Sequence, residues 1–143
     1  LEMIFIGEKK IIHLVLKKKC FSINTLFQLD KLLKFKSNKK KILVIFIKNY
    51  LIRGFGVDWL NTFINLVKKN YSQYNIKFYV DAGNDYGLSV LILRENIDYL
   101  KLRSNKIILS KINQIAKKNK VVLNPTFNVV DLSKIKNYKN LKI

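Results

Sequence analysis

The chain has 143 residues, 49% of them hydrophobic and one of them proline, a composition that suits one globular domain with a real core and excludes a disordered chain. Its longest apolar run, Ile42 to Ile47, is far too short to cross a bilayer, and the single cysteine, Cys20, excludes an internal disulfide and fits a reducing, cytoplasmic setting. The formal net charge of +19 suggests polyanions, yet 25 of the 28 basic residues are Lys, and that usage, with abundant Ile and Asn, is what an AT-rich genome produces; the scarcity of acids, nine in all, is the part codon bias does not explain.

Leu1-Glu2 ahead of Met3 reads as a cloning remnant, and the domain is expected over 3–135 with a basic tail over 136–143. Met3 to Ile6 suits a short edge strand, broken by Gly7-Glu8-Lys9-Lys10. Ile11 to Leu16 reads as the first strand of the main sheet, ended by Lys17-Lys18-Lys19. His13 within it is a lone histidine, which suits a structural role better than a metal site. Ser22 is placed to cap a helix running to about Phe35, with Leu26, Leu29 and Leu33 on one face. Lys36 to Lys41 reads as a solvated basic connection. Lys41 to Ile47 reads as a central strand covered on both faces. Lys48 to Gly56 then reads as the longest internal loop, hinged at Gly54 and Gly56. Val57 to Tyr71 gives the clearest helical period, with Leu60, Phe63, Ile64, Val67 and Tyr71 on one stripe.

Ile76 to Ser110 is the clearest unit. Ile76, Phe78 and Val80 alternate as a strand, and Asp81 to Gly87 is rich in turn formers, with Gly83 and Gly87 free to take positive φ and Asn84 or Asp85 able to cap the next helix. Leu88 to Glu95 is apolar on nearly every side, so it either lies under another element or forms a subunit interface. Ile97 to Leu102 returns as a strand, and a crossover this short implies parallel strands with a right-handed connection. About thirty residues here resemble one βα step of a phosphosugar-binding (β/α) barrel, and that resemblance implies an aldolase- or isomerase-like enzyme as an alternative function.

Asn105 to Lys118 follows as a helix with Ile108, Ile112 and Ile115 on one face, Lys120 to Leu123 as a strand ended by Asn124-Pro125-Thr126, and Val129 to Ile135 as a last strand or helical turn. The alternation predicts an α/β fold, a single domain with a mostly parallel sheet of about five strands and helices on both faces, flavodoxin-like or Rossmann-like; a half (β/α) barrel is the alternative.

Ligands of parallel sheets bind beyond the carboxyl ends of the strands. That rule collects Lys17 to Ser22, Lys48 to Tyr50, Asp81 to Asp85, Arg103 to Asn105 and Asn124 to Thr126, and from these Lys48, Asp81, Asn84, Asp85, Arg103, Ser104 and Asn105 are the candidate ligand-binding residues. Arg103 and Lys48 offer cations, Ser104 and Asn105 open a helix, and Asp81 would be the base if there were catalysis. No Walker loop, GxGxxG, GxSxG, HExxH or Cys/His cluster occurs, so no cofactor and no metal are expected. The expected role is a non-catalytic binding protein for a partner or a small anionic ligand at this rim, dimerising through Leu88–Leu93 and not associated with a membrane. The charge also admits a non-specific nucleic-acid-binding module.

Overall fold

The structure, a computed structural model, describes residues 2–6, 10–14, 18–36, 38–135, 137, 138, 141 and 143, and of 2–6 and 10–14 the backbone alone. The break read over Gly7 to Lys9, Lys17 with the end of the 11–16 run, much of the 136–143 tail and the side chain of His13 lie outside the described residues.

Strands β1 (Glu2–Ile6) and β2 (Lys10–Leu14) pair antiparallel as a two-stranded hairpin, from Glu2 opposite Leu14 to Ile6 opposite Lys10. The run expected to open the main sheet therefore belongs to a separate ribbon. The first strand of the main sheet is β3 (Lys18–Ser22), whose two lysines begin the strand instead of ending one. They stand exposed at its amino end, where long side chains reach water, while Cys20, Phe21 and Ser22 are buried. Ser22 is thus a strand residue. The cap of α1 (Leu26–Leu33) is Thr25, whose hydroxyl accepts from the Gln28 N–H at 3.2 Å, while the Gln28 side chain reaches back to the Asn24 N–H at 2.6 Å.

Every residue of β4 (Leu43–Ile47) is buried, as a central strand requires. The stretch after it is not a loop. It forms α2 (Asn49–Phe55), anchored by buried Leu51 and Ile52, and Gly56 at φ 92° makes the corner into α3 (Val57–Asn70). The chain continues through β5 (Ile76–Asp81), α4 (Tyr86–Leu93), β6 (Tyr99–Lys101), α5 (Lys106–Lys118), β7 (Val122–Leu123) and β8 (Phe127–Asp131), and ends in a 3₁₀ turn over Leu132–Lys134. Tyr138, within the basic tail, is buried with its ring edge-on to Phe35 at 6.4 Å.

The protein is a single α/β domain whose main sheet has six parallel strands in the order β7-β6-β5-β4-β3-β8. Of the two expected forms, the sheet takes the half-barrel, and the connectivity shows why. A flat sheet of this order, with strands about 4.8 Å apart, would hold edge strands β7 and β8 about 24 Å from each other. Only Asn124 to Thr126 join them, and the four steps from Leu123 to Phe127 span at most about 14 Å. The sheet must curl. Asn124 fixes the departure from β7: at φ 47° its side chain accepts from the Leu102 N–H at 2.8 Å and donates to the Leu102 carbonyl at 2.9 Å, continuing the ladder through a side chain.

The two faces of the curled sheet differ. On the convex side Phe21, Ile45, Phe78, Val80 and Leu100 join one core with the buried residues of the five helices. On the concave side a second cluster forms from strand residues only: Cys20, Val44, Phe46 and Tyr79, with Tyr99 and Phe127 packed against it. Tyr99 and Phe127 lie edge-to-face with centroids 4.9 Å apart, although β6 and β8 are four positions apart in the sheet and would be about 19 Å apart were it flat. The aromatic layer fills the half-barrel.

Candidate ligand site at the carboxyl mouth of the curled sheet

Strand alternation decides what stands above the aromatic layer. Two residues beyond Cys20, Phe46, Tyr79, Tyr99 and Val129 come Ser22, Lys48, Asp81, Lys101 and Asp131, on the same concave face one step closer to the carboxyl ends. In register Ser22 is opposite Asp131 on one side and Phe46 on the other, whereas Asp81 is opposite Lys101 and Lys48 lies two residues beyond Phe46, so Lys48, Asp81 and Lys101 stand one step above Ser22 and Asp131. Two cations, two carboxylates and a hydroxyl therefore ring the mouth of an otherwise apolar interior.

Lys48 follows β4 in extended conformation and precedes the first turn of α2. Its Nζ lies 2.8 Å from Asp131 Oδ2 and 5.7 Å from the Tyr50 ring centroid. Asp131 Oδ1 accepts from both the backbone N–H and the hydroxyl of Ser133. The hydrogen bond from Lys48, helped by Ser133 and opposed by burial, holds the Asp131 carboxyl down to about 2. Between these two residues β3 ends in Ser22, 1% exposed, whose hydroxyl has no hydrogen-bond partner among the described residues. Lys101 lies over the Phe46 ring, 5.8 Å from its centroid, and no salt bridge joins it to a carboxylate among the described residues. Beneath the ring of polar groups, burial pushes the Cys20 thiol up to about 12 against the opposing charge of Lys101. It pushes the Tyr79 phenol to about 12 as well, with Cys20 and Asp81 adding to the effect.

The residues expected from sequence gather at this end. Asp81 Oδ1 accepts from the Gly83 N–H at 2.8 Å, and the Asn49 amide donates to the Asp81 carbonyl at 3.0 Å, which ties the start of α2 to the end of β5. Gly83, at φ 65°, is packed so that a Cβ would sit 3.2 Å from the Asn49 side chain; Gly87 instead lies in the first turn of α4. The segments around Asp81–Asp85 and Arg103–Asn105 are joined by backbone bonds from the Ala82 N–H to the Lys101 carbonyl and from the Arg103 N–H to the Gly83 carbonyl. Asp85 caps α4 by accepting from the Leu88 N–H, and Asn105 caps α5 by accepting from the Ile108 N–H. Asn84, Arg103 and Ser104 are exposed on the outer part of the rim, and among the described residues no hydrogen bond or ion pair joins the Arg103 side chain to Asp81.

Lys48 and Asp81 are thus the expected residues that reach the inner ring, while Lys101 and Asp131 escape the sequence reading. The signal for Lys101 was present: it is two residues beyond Tyr99, as Asp81 is beyond Tyr79. Lys18 and Lys19, expected on this rim, sit at the opposite end because their strand begins where the sequence pattern suggests an ending.

In α4, Ile92 and Leu93 are buried and Leu88 and Val90 pack against the core, which leaves Leu91, 48% exposed, and Tyr86 on the surface. Among the described residues no group of three or more His, Cys, Asp or Glu could hold a metal ion, and no helix is long and apolar enough to cross a membrane. The sequence matches no model of a known protein family and no curated protein.

Proposed function

We propose that the chain is a non-catalytic binding protein that holds a small anionic ligand at the carboxyl mouth of its curled sheet. One observation carries this reading: a hydroxyl, Ser22, is buried without a partner among the described residues, on the strand between the lysine and the aspartate of an ion pair, at the place where parallel sheets bind ligands. A buried hydroxyl that lacks a partner costs about 1–3 kcal/mol. A ligand oxygen that accepted from Ser22 and paired with Lys48 and Lys101 would remove that cost and exchange one anion, Asp131, for another. The exposed Arg103, Ser104 and Asn84 stand outside this ring, where they can meet the remainder of the ligand. The test is a thermal-shift screen with inorganic phosphate, a sugar monophosphate, a dicarboxylate and a short oligonucleotide, repeated on Lys101→Ala. Ligands that bind only the folded state raise the melting temperature. A shift with one small anion that disappears in the variant supports the site. A shift with the oligonucleotide alone, abolished by added salt, would replace this reading with a charge-driven one.

The placement of Lys101 next to Asp81 favours a second reading, an aldolase-like enzyme in which the lysine amine condenses with a sugar-phosphate carbonyl. Borohydride reduction in the presence of such a carbonyl compound would leave a mass adduct, absent in Lys101→Arg. Self-association through α4 would rest on Leu91 and Tyr86, and Leu91→Glu would then convert a dimer to a monomer in light scattering.

A further inference from the structure

We propose that the opposite, amino end of the curled sheet holds a second and independent site, for a single-chain fatty acid. A cavity of about 480 Å³ opens there, within the range of small-molecule pockets. Phe21, Ile42, Leu43, Val44, Tyr99 and Ile143 line it, with Ile42 46% exposed. Apart from the Tyr99 phenol and the lysines, these side chains give a compact polar metabolite nothing to bond. An alkyl chain, in contrast, gains about 0.8 kcal/mol for each buried methylene.

The mouth selects the head group. Lys18, Lys19 and Lys41 line it, all exposed, and no acidic residue is among the described lining residues. Three ammonium groups in water can neutralise an anion that stays at the entrance while its chain is buried. The described lining also has no glycine turn and no helix start, two devices that recognise phosphate. Lysine point charges around an apolar cavity suit a carboxylate. The cavity shares no lining residue with the polar ring of Ser22, Lys48, Asp81, Lys101 and Asp131, so the two sites can be tested apart.

Isothermal titration with decanoate, below its micelle concentration, tests the inference, with decanol and acetate as comparators. The expected result is one decanoate per chain, bound at least tenfold more tightly than decanol, and no binding of acetate. Lys18→Gln/Lys41→Gln should weaken decanoate at least tenfold and leave decanol unchanged, and Ile42→Glu, a change at an exposed lining residue, should weaken it as well. Lys106→Gln/Lys111→Gln on α5, which starts at the carboxyl end, and Lys101→Ala at the other mouth should leave it unchanged, and thermal melts confirm that each variant is folded. Several decanoates per chain, equal affinity for decanol, or equal weakening by the remote variants would each overturn the proposal, because attraction to a chain of net charge +19 would then suffice.

Discussion

Lys48 at the end of β4 reaches over β3 to Asp131 at the end of β8, with Nζ and Oδ2 2.8 Å apart, so the ends of two non-adjacent strands are tied across the one between them. The tie is pH-dependent in a defined direction. Asp131 is held down to about 2, first by Lys48, so its contribution is fully present above the ordinary carboxylate value and is lost as pH falls through the folded value. With the pair about a fifth exposed, solvent screening leaves it about 1–2 kcal/mol. Urea denaturation of the wild type and Asp131→Asn should differ by that amount at neutral pH and converge as pH drops from about 4 towards 2. A constant difference would contradict the pairing.

The alkaline limb has the opposite sign. Cys20 and Tyr79 both ionise near 12 in the folded protein because burial disfavours their anions, whereas the unfolded chain ionises them at ordinary values. Stability is complete below about pH 8.5 and declines from there to about pH 12. Tyr79→Phe removes one of the two groups and should decline less steeply above about pH 10, as chemical denaturation at a series of pH values will show.

Two glycines near the rim predict opposite outcomes. A Cβ at Gly83 meets the Asn49 side chain at 3.2 Å, and Asn49 is fixed by its bond to the Asp81 carbonyl, so Gly83→Ala should cost about 1–3 kcal/mol, at a positive φ as well. Gly54 lies inside α2 with nothing within 4 Å of the added carbon, and Gly54→Ala should stabilise by about 0.4–1 kcal/mol. Thermal melts of both variants decide the point.

The contact between Tyr99 and Phe127 gives the curl an energetic signature. A double-mutant cycle with Tyr99→Leu and Phe127→Leu should return a coupling of about 0.5–1.5 kcal/mol, as adjacent aromatic pairs do. Additive effects would mean that β6 and β8 do not meet.

What the sequence made legible were the elements whose period is local. The stripe from Leu60 to Tyr71, the alternation of Ile76 to Val80 and the Asn105 cap all appear where the pattern places them. Two misreadings share a cause. Lys18-Lys19 and the Gly54–Gly56 pair have the composition of breakers, but a lysine at the open end of a strand and a glycine inside a short anchored helix break nothing, and tertiary burial of Phe21, Leu51 and Ile52 decides. The half-barrel stood only as the alternative, because choosing it over a flat sheet depends on β8 pairing with β3, a contact over more than a hundred residues that no local pattern encodes. Asp131 became visible only once β8 was known to pair with β3.

The measurement that bears most directly on the carboxyl-mouth site is an amide NMR titration of the isotopically labelled protein with inorganic phosphate and a sugar monophosphate. Saturable shifts confined to Ser22, Lys48, Gly83, Lys101 and Asp131, on strands far apart in sequence, are the predicted result. Shifts spread over the exposed lysines without saturation, with these residues unmoved, would contradict it.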